Sequence, residues 1–271
     1  MMFDNVIVFG CSYSYGSGFI NDSNINQTSE PVLWSDKLKP YFKDCDTWDK
    51  AFQRLKEITY GGYIAKKYNA KYYNYAMQGV GIEEMNRRAF SIFTKKQFTK
   101  NTLVIYQIPN YNRIELIDVP RHQVSSFNQI PRHTHLPKDF MLNYFEPDSY
   151  LGMLLSQYST TIQWIKSFGY KVIPFSIENE YFWNYQNHSE EFMQKDLFLI
   201  GQNKPHDIAY FPSIKKIRDK IGFIDFGLWN RTPDLPTFHS EGIYDDYHWT
   251  KEGHDIVGDA IYNYLNNLLK N

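Results

Sequence analysis

A chain of 271 residues with 42% hydrophobic residues can bury a sizeable core, and we favour one domain spanning residues 1–271. Its 29 basic and 30 acidic residues leave a formal net charge of -1, so neither nucleic acid nor an anionic membrane surface is expected as a partner. Two cysteines, Cys11 and Cys45, are too few for a disulfide framework.

The start of the chain is not typical of a targeting segment. Residues 1–5 carry no basic stretch, and the apolar run after them is too short for a signal peptide or a membrane span. We therefore expect a protein without a leader or a transmembrane segment. Aromatic residues make up 18% of the chain, which fits either a sugar-binding cleft or the amino-acid usage of an AT-rich genome.

The first predicted element is a buried parallel strand that delivers a reactive turn. An apolar, partly β-branched run, residues 6–9, ends abruptly in the small residues of the segment from Gly10 to Gly18. Ser12 lies on this turn. Glycine on both sides lets the backbone bend sharply and leaves room for a substrate beside the Ser12 hydroxyl.

Strands and helices alternate along the rest of the chain, which predicts a mostly parallel sheet with right-handed crossovers. A pair of glycines, Gly61-Gly62, is expected to divide the first long helix, and Thr250 is placed to cap the last one. Reactive groups in such sheets gather at the carboxyl ends of the strands. The predicted strands are 71–76, 103–108, 171–176 and about 221–226, and the predicted helices are 48–68, 82–94, 149–168 and 251–269.

Two segments show no sustained periodicity. Residues 19–47 are polar and predict a surface connection with a short helix at 34–38. Residues 111–148 contain several prolines and predict an insertion that shapes or covers a cleft.

A histidine near the end of the chain supplies the base that a serine nucleophile needs. Asp245 precedes His248 by three residues, in a loop that runs directly into an amphipathic helix. Such a loop can fold back so that the carboxylate contacts the imidazole. A serine hydroxyl requires both a base within hydrogen-bond reach and an acid that fixes the tautomer of that base. Ser12, His248 and Asp245 form this set.

These two stretches together resemble the SGNH (GDSL-type) hydrolases. The first block of that family reads G-D-S-x-S/T-x-G, and Gly10–Gly16 reads G-C-S-Y-S-Y-G. The last block reads D-x-x-H before a helix that often begins near Gly-His, matched by Asp245–His248 with Gly253-His254 after it. The resemblance implies a three-layer α/β fold whose five-stranded, mostly parallel, flavodoxin-like sheet is flanked by helices.

The resemblance also implies an oxyanion hole. Its donors would be the backbone amides of Ser12 and Gly79 and the side-chain amide of Asn110. The third block of the family, G-x-N-D, falls on residues 108–111 and keeps only Asn110, with Asn112 and Gln107 as substitute donors. This block is the main departure from the family.

The implied activity is serine-dependent ester hydrolysis through an acyl-enzyme, without a cofactor or a metal. The expected substrate is a small-molecule or carbohydrate ester, with a carbohydrate O-acetyl group preferred. Two alternatives stay open: an O-acyltransferase with the same triad, and a non-catalytic binding or structural module. Divergent members of the family, including proteins encoded by phages and by polysaccharide gene clusters, also depart at the third block. A cytoplasmic or virion-associated location is expected, with no signal peptide or transmembrane segment. The oligomeric state stays open.

Other chemistry-bearing residues have simpler interpretations. Cys11 at a strand end is expected to be buried and inert rather than nucleophilic. The pair His133 and His135 has a spacing that could bind a metal, but no carboxylate or cysteine cluster completes a site. The glycine-rich turn lacks the Lys-Ser/Thr of a phosphate-binding loop. Asp246 is expected to be a solvated or capping residue. His254 is expected to belong to the start of the last helix, and Arg113 to lie at the surface.

Overall fold

The computed structural model describes residues 2–16, 19, 38–109, 113–118, 123–128, 147–176, 224–225 and 248–270. Five strands in this part of the chain form one sheet, in which all four neighbouring pairs are parallel. Two further strands pair with each other as an antiparallel hairpin. The strands are β1 (Asn5–Phe9), β2 (Lys71–Asn74), β3 (Thr102–Ile108), β4 (Arg113–Asp118), β5 (Gln123–Asn128), β6 (Lys171–Ser176) and β7 (Ile224–Asp225).

The order of the main sheet is β2-β1-β3-β6-β7. With the hairpin β4-β5 left out, this is the 2-1-3-4-5 order of flavodoxin-like sheets, which confirms the predicted fold class. The fifth strand has only two residues and lies within the segment predicted for it. The helices are α1 (Ser12–Tyr15), α2 (Trp48–Ile58), α3 (Tyr60–Tyr68), α4 (Ile82–Lys95), α5 (Pro147–Ser167) and α6 (Lys251–Lys270).

Helices cover both faces of the sheet. On β1, Val6 and Val8 pack on the side of α3 and α6, whereas Ile7 and Phe9 pack on the side of α4 and α5. All four side chains are fully buried, which explains why β1 reads as a continuous apolar run rather than an alternating one. Burial of each such side chain contributes about 1.5–3 kcal/mol. The result is a three-layer α/β arrangement.

The predicted segment 48–68 does form two helices, but the break lies at Thr59 rather than at Gly61-Gly62. Thr59 has extended backbone (φ -81°, ψ 161°) and serves as the cap of both helices. Gly61 lies inside α3, where an added Cβ would come within 2.5 Å of Tyr72 Oη and 2.6 Å of Val8 Cγ2. This glycine therefore permits a close approach of helix and sheet instead of a break.

The hairpin β4-β5 lies inside the segment 111–148, for which no strand was predicted. The two strands pair from Arg113 opposite Asn128 to Asp118 opposite Gln123. An antiparallel ribbon outside the main sheet produces only a short alternating pattern, which is a weaker signal than a buried central strand. The short helix expected at 34–38 lies outside the described residues except for Leu38. Within the described ranges, no helix has the length and apolar character to cross a membrane.

Candidate active site

Ser12 lies in the turn that follows the carboxyl end of β1, residues 10–16, called the Ser12 turn below. It is the first residue of the one-turn helix α1, which is closed by a hydrogen bond from Tyr15 N to the Cys11 carbonyl oxygen at 3.0 Å. The side chain of Ser12 lies outside the described part of the structure. The backbone position agrees with the expectation of a residue presented at the carboxyl edge of a parallel sheet.

The loop after β2 is hydrogen-bonded to the Ser12 turn. Met77 N donates to the Gly10 carbonyl oxygen at 3.1 Å, and Asn74 Nδ2 donates to the Ser14 carbonyl oxygen at 3.1 Å. Asn74 Oδ1 also accepts from Ala76 N at 3.0 Å, which shapes the start of the same loop. The first two predicted blocks are therefore joined by backbone and amide contacts.

Gly79 lies on that loop in a conformation that favours glycine. Its φ is +69°, it is exposed, and no heavy atom lies within 4 Å of the position that a Cβ would take. A backbone segment with open space in front of it can approach an anion closely. The position is suited to the oxyanion role that the sequence predicts for Gly79.

A buried glutamine on β3 contacts the turn from beneath. Gln107 is fully buried, and its Oε1 accepts hydrogen bonds from Cys11 N at 3.3 Å and from the Ser14 hydroxyl. Its Nε2 donates to Cys11 Sγ at 3.1 Å. The sequence suggested Gln107 only as a substitute oxyanion donor, but these contacts direct its amide to the turn itself.

The hydroxyl of Tyr60, at the start of α3, lies 2.5 Å from Ser14 Oγ. Both side chains are fully buried, and burial raises the pKa of Tyr60 well above its ordinary value, although the hydrogen bond to Ser14 acts in the opposite direction. Tyr60 is therefore a neutral donor at any physiological pH. Ser14 occupies the S/T position of the first block, and this match is the sequence signal by which Ser14 could have been singled out.

His248 precedes the last helix in a partly buried loop. The next residue, Trp249, is buried, with its ring edge-on to Tyr60 (centroids 6.4 Å apart) and to His254 (5.5 Å). Thr250 Oγ1 accepts from Gly253 N at 3.5 Å, which confirms the predicted cap of α6. The packing of Trp249 fixes the chain directly after His248.

His254 is a buried, neutral residue of the first turn of α6. Burial, followed by the charges of His248 and Lys251, lowers the pKa of His254 from 6.5 to about 3. Its Nδ1 accepts from Tyr60 N at 3.4 Å, so the ring proton resides on Nε2. The imidazole is stacked on the rings of Tyr60 and Phe19, with centroids 6.0 and 5.8 Å away. This is a structural histidine at the helix start, as the sequence predicted.

Cys11 is 3% exposed, and its thiol accepts the hydrogen bond from Gln107 described above. Both Cys11 and Cys45 are buried and free. The location of Cys11 in the interior agrees with the prediction of an inert side chain.

Several predicted site residues lie outside the described residues. These include Asp245, the proposed acid, and Asn110, a proposed oxyanion donor, so the described site comprises the backbone of Ser12, together with Gly79 and His248. The described ranges hold no group of three or more His, Cys, Asp or Glu side chains that could bind a metal ion. Also outside are Asn112, His133, His135 and Asp246, together with the side chain of Arg113.

Neither a scan of protein-family models nor a search of curated proteins finds a match to this chain. A search of solved structures does. It matches a carbohydrate esterase family 2 enzyme with a carbohydrate binding domain from Corynascus thermopiles (Myceliophthora fergusii), with a TM-score of 0.50 and 12% identity over 98% of this chain and 66% of that one.

Other matched structures are a psychrotrophic esterase from Pseudoalteromonas sp. and a GDSL-like lipase from Bacteroides thetaiotaomicron. The first has a TM-score of 0.46 and 11% identity over 99% of this chain and 100% of that one. The second has a TM-score of 0.43 and 12% identity over 98% and 89%. At such identities the likeness concerns the fold alone. The chain shares a three-layer α/β fold with the carbohydrate esterase family 2 structure, which is the fold class expected from the resemblance to the SGNH (GDSL-type) hydrolases.

Proposed function

We propose that this protein is a serine-dependent ester hydrolase with Ser12 as nucleophile, His248 as general base and Asp245 as the acid that orients it. The observation that carries the proposal is the junction of three loops at one edge of the sheet. Met77 N joins the Gly79 loop to the turn that bears Ser12. Tyr60 contacts that turn through Ser14 and packs against Trp249, the neighbour of His248.

In the proposed acylation step, Ser12 Oγ attacks the ester carbonyl carbon and His248 takes the hydroxyl proton. The oxyanion that forms accepts hydrogen bonds from the backbone amides of Ser12 and Gly79 and from the side chain of Asn110. His248 then donates its proton to the departing alcohol, which leaves the acyl group on Ser12. A water molecule then attacks this acyl-enzyme and gives a proton to His248, and His248 returns that proton to Ser12 Oγ as the acid is released.

The preferred substrate is an acetyl ester of a carbohydrate. Support comes from the structural match described as a carbohydrate esterase, and from the surroundings of α1. A cavity of about 170 Å³ next to the Ser12 turn is lined by Tyr15, Phe52, Leu55, Lys56 and Asn74. Aromatic rings in such a lining can pack against the apolar face of a sugar.

Covalent labelling with a fluorophosphonate, read by intact mass, tests the nucleophile. We expect the native chain to gain one adduct, and Ser12→Ala and His248→Ala to gain none. Ser91→Ala, an exposed serine on α4, is the matched control and should label like the native chain. A folded native sample that gains no adduct would contradict the proposal.

Release of acetate from acetylated xylan and from a peracetylated monosaccharide tests the substrate. Acetate should appear at a rate proportional to enzyme, and Ser12→Ala should abolish it. Turnover that requires an added sugar acceptor would instead identify an acyltransferase.

A further inference from the structure

Gln107 carries the one side-chain amide of the fully buried strand β3. The other residues of β3 are Thr102, at its first position, and the five interior residues Leu103, Val104, Ile105, Tyr106 and Ile108, and all seven positions are buried. A buried amide that lacks hydrogen-bond partners destabilises a protein by about 1–3 kcal/mol per unpaired group in mutational data. The Gln107 amide therefore requires hydrogen-bond partners, and both of them, Cys11 and Ser14, lie in the Ser12 turn.

The register of the sheet brings Gln107 to that turn. Phe9 on β1 pairs with Tyr106 on β3, so Gln107 lies one position further, opposite Gly10. A Cβ on Gly10 would overlap both Ser14 Oγ and Gln107 Oε1. Gly10 is thus the residue that leaves room for the amide.

The direction of each hydrogen bond follows from the chemistry of the groups. The Cys11 backbone N–H can only donate, so the atom of Gln107 that faces it must be Oε1. The Ser14 hydroxyl must then donate to the same oxygen, which leaves Ser14 Oγ to accept from the Tyr60 hydroxyl. Gln107 Nε2 donates to Cys11 Sγ at 3.1 Å. Each of these four hydrogen bonds therefore has a defined donor and a defined acceptor.

From these contacts we propose that Gln107 is a positioning residue, which fixes the turn that presents Ser12 by holding Cys11 and Ser14 on either side of it. Gln107 lies on the central strand β3, and Ser14, which donates to it, also accepts from Tyr60, so these contacts connect the turn to the interior of the sheet. The kinetic consequence rests on the proposed function of Ser12. The structural consequence, a turn held by Gln107, does not.

The test compares Gln107→Met, which keeps the approximate size of the side chain without its amide, with Gln107→Glu, which keeps an acceptor oxygen. The matched control is Thr102→Val. Thr102 is a fully buried residue of the same strand, whose Oγ1 accepts from Asn5 Nδ2 at 3.1 Å and so joins β3 to β1 at the opposite end. Two readouts are taken on each folded variant: the rate of fluorophosphonate labelling, and the hydrogen exchange of peptides that cover residues 10–16.

We expect Gln107→Met to be labelled about tenfold to a hundredfold more slowly than the native chain, because a small displacement of a nucleophile lowers the reaction rate by factors of this size. Exchange in residues 10–16 should become faster. Gln107→Glu should fall between Gln107→Met and the native chain, and Thr102→Val should match the native chain in both readouts. If Gln107→Met does not fold, Ser14→Ala takes its place, since it removes one donor to the same oxygen.

Native labelling and exchange in a folded Gln107→Met variant would overturn the proposal. Equal effects in Gln107→Met and Thr102→Val would also overturn it, because they would reflect general destabilisation. If the native chain is not labelled at all, the proposed function fails, and the exchange of residues 10–16 alone then decides whether Gln107 holds the turn.

Discussion

Met77 N donates a hydrogen bond to the Gly10 carbonyl oxygen at 3.1 Å, beyond the last paired residues of β1 and β2. Together with the bond from Tyr75 N to the Val8 carbonyl oxygen at 2.8 Å, it extends the contact between strands β1 and β2 into the loops that follow them. The turn of Ser12 and the loop of Gly79 are thus held next to each other by backbone groups. The Asn74 side chain adds a third bond, from its Nδ2 to the Ser14 carbonyl oxygen.

Substitution of Gly79 by alanine should reduce activity more than stability. The φ of +69° places an alanine in the left-handed region, which costs about 1–2 kcal/mol, but the open space around the Cβ position means that no clash is added. Relaxation of this strain would turn the Gly79 amide away from the oxyanion. Loss of one oxyanion donor costs about 10²–10³ in rate. The fluorophosphonate labelling rate of Gly79→Ala measures this loss.

Gly169→Ala is the matched control for that substitution. Gly169 has a φ of +84°, and the nearest atoms to its Cβ position, on Lys100, are 3.9 Å away. It follows α5, and it precedes β6 at the opposite end of the strands from the Ser12 turn. The free energy of unfolding should fall by a similar amount in both variants. Equal labelling rates of the two variants would refute a special role for Gly79.

Stability should fall in acid because of His254. Its pKa in the folded protein is lowered from 6.5 to about 3, so between these values the unfolded chain binds a proton that the folded chain does not. The free energy of unfolding therefore decreases as the pH drops through this window, by up to about 1.4 kcal/mol per pH unit. Above pH 6.5 this effect is absent.

Urea unfolding of the native chain and of His254→Gln, at several values between pH 7 and pH 5, measures that contribution. Carboxyl groups with ordinary pKa values stay largely ionised in this range. Glutamine keeps an amide near Tyr60 N but does not titrate, so the variant should lose less stability on acidification. Parallel pH profiles of the two proteins would show that His254 does not carry the effect.

The sequence predicted the core of the fold because burial on both faces produces a recognisable pattern. The apolar runs of β1 and β3 and the stripe of α6 follow directly from it. The glycine pair in α3 was misread because glycine serves two physical purposes, a break or a close approach, and only the neighbouring Val8 and Tyr72 show which one applies. The pairing partners of a strand determine such contacts, and they are not local in sequence.

The same limit applies to the candidate site. Ser12 and His248 could be proposed because their chemistry is signalled by spacing within short segments. The role of Gln107 could not, because it depends on the register between β1 and β3, which brings it opposite Gly10. Tyr60 was likewise predicted only as part of a helix. Its contact with Ser14 joins residues 46 positions apart in the chain.

Removal of the Cys11 thiol should leave the nucleophile intact. Cys11 is buried, and its sulfur accepts from Gln107 rather than facing an open site. We therefore expect Cys11→Ala to be labelled by fluorophosphonate at a rate within a few-fold of the native rate. Complete loss of labelling in a folded Cys11→Ala, with Ser12→Ala still labelled, would identify Cys11 as the nucleophile instead.

Removal of the Tyr60 hydroxyl should loosen the Ser12 turn, whereas removal of another buried hydroxyl should not. Tyr60→Phe keeps the ring packed against Trp249 and His254 but leaves Ser14 Oγ without its donor, which costs about 1–2 kcal/mol. Tyr106→Phe is the matched control.

Tyr106 is as deeply buried as Tyr60, and its hydroxyl donates to Asn86 Oδ1 at 2.7 Å, on the face of the sheet that packs against α4 and α5. Thermal unfolding should show similar losses of stability in the two variants. Only Tyr60→Phe should also slow fluorophosphonate labelling and speed hydrogen exchange in residues 10–16. A Tyr106→Phe variant with the same two effects would mean that the turn responds to overall stability, and that the hydroxyl of Tyr60 has no specific part in holding it.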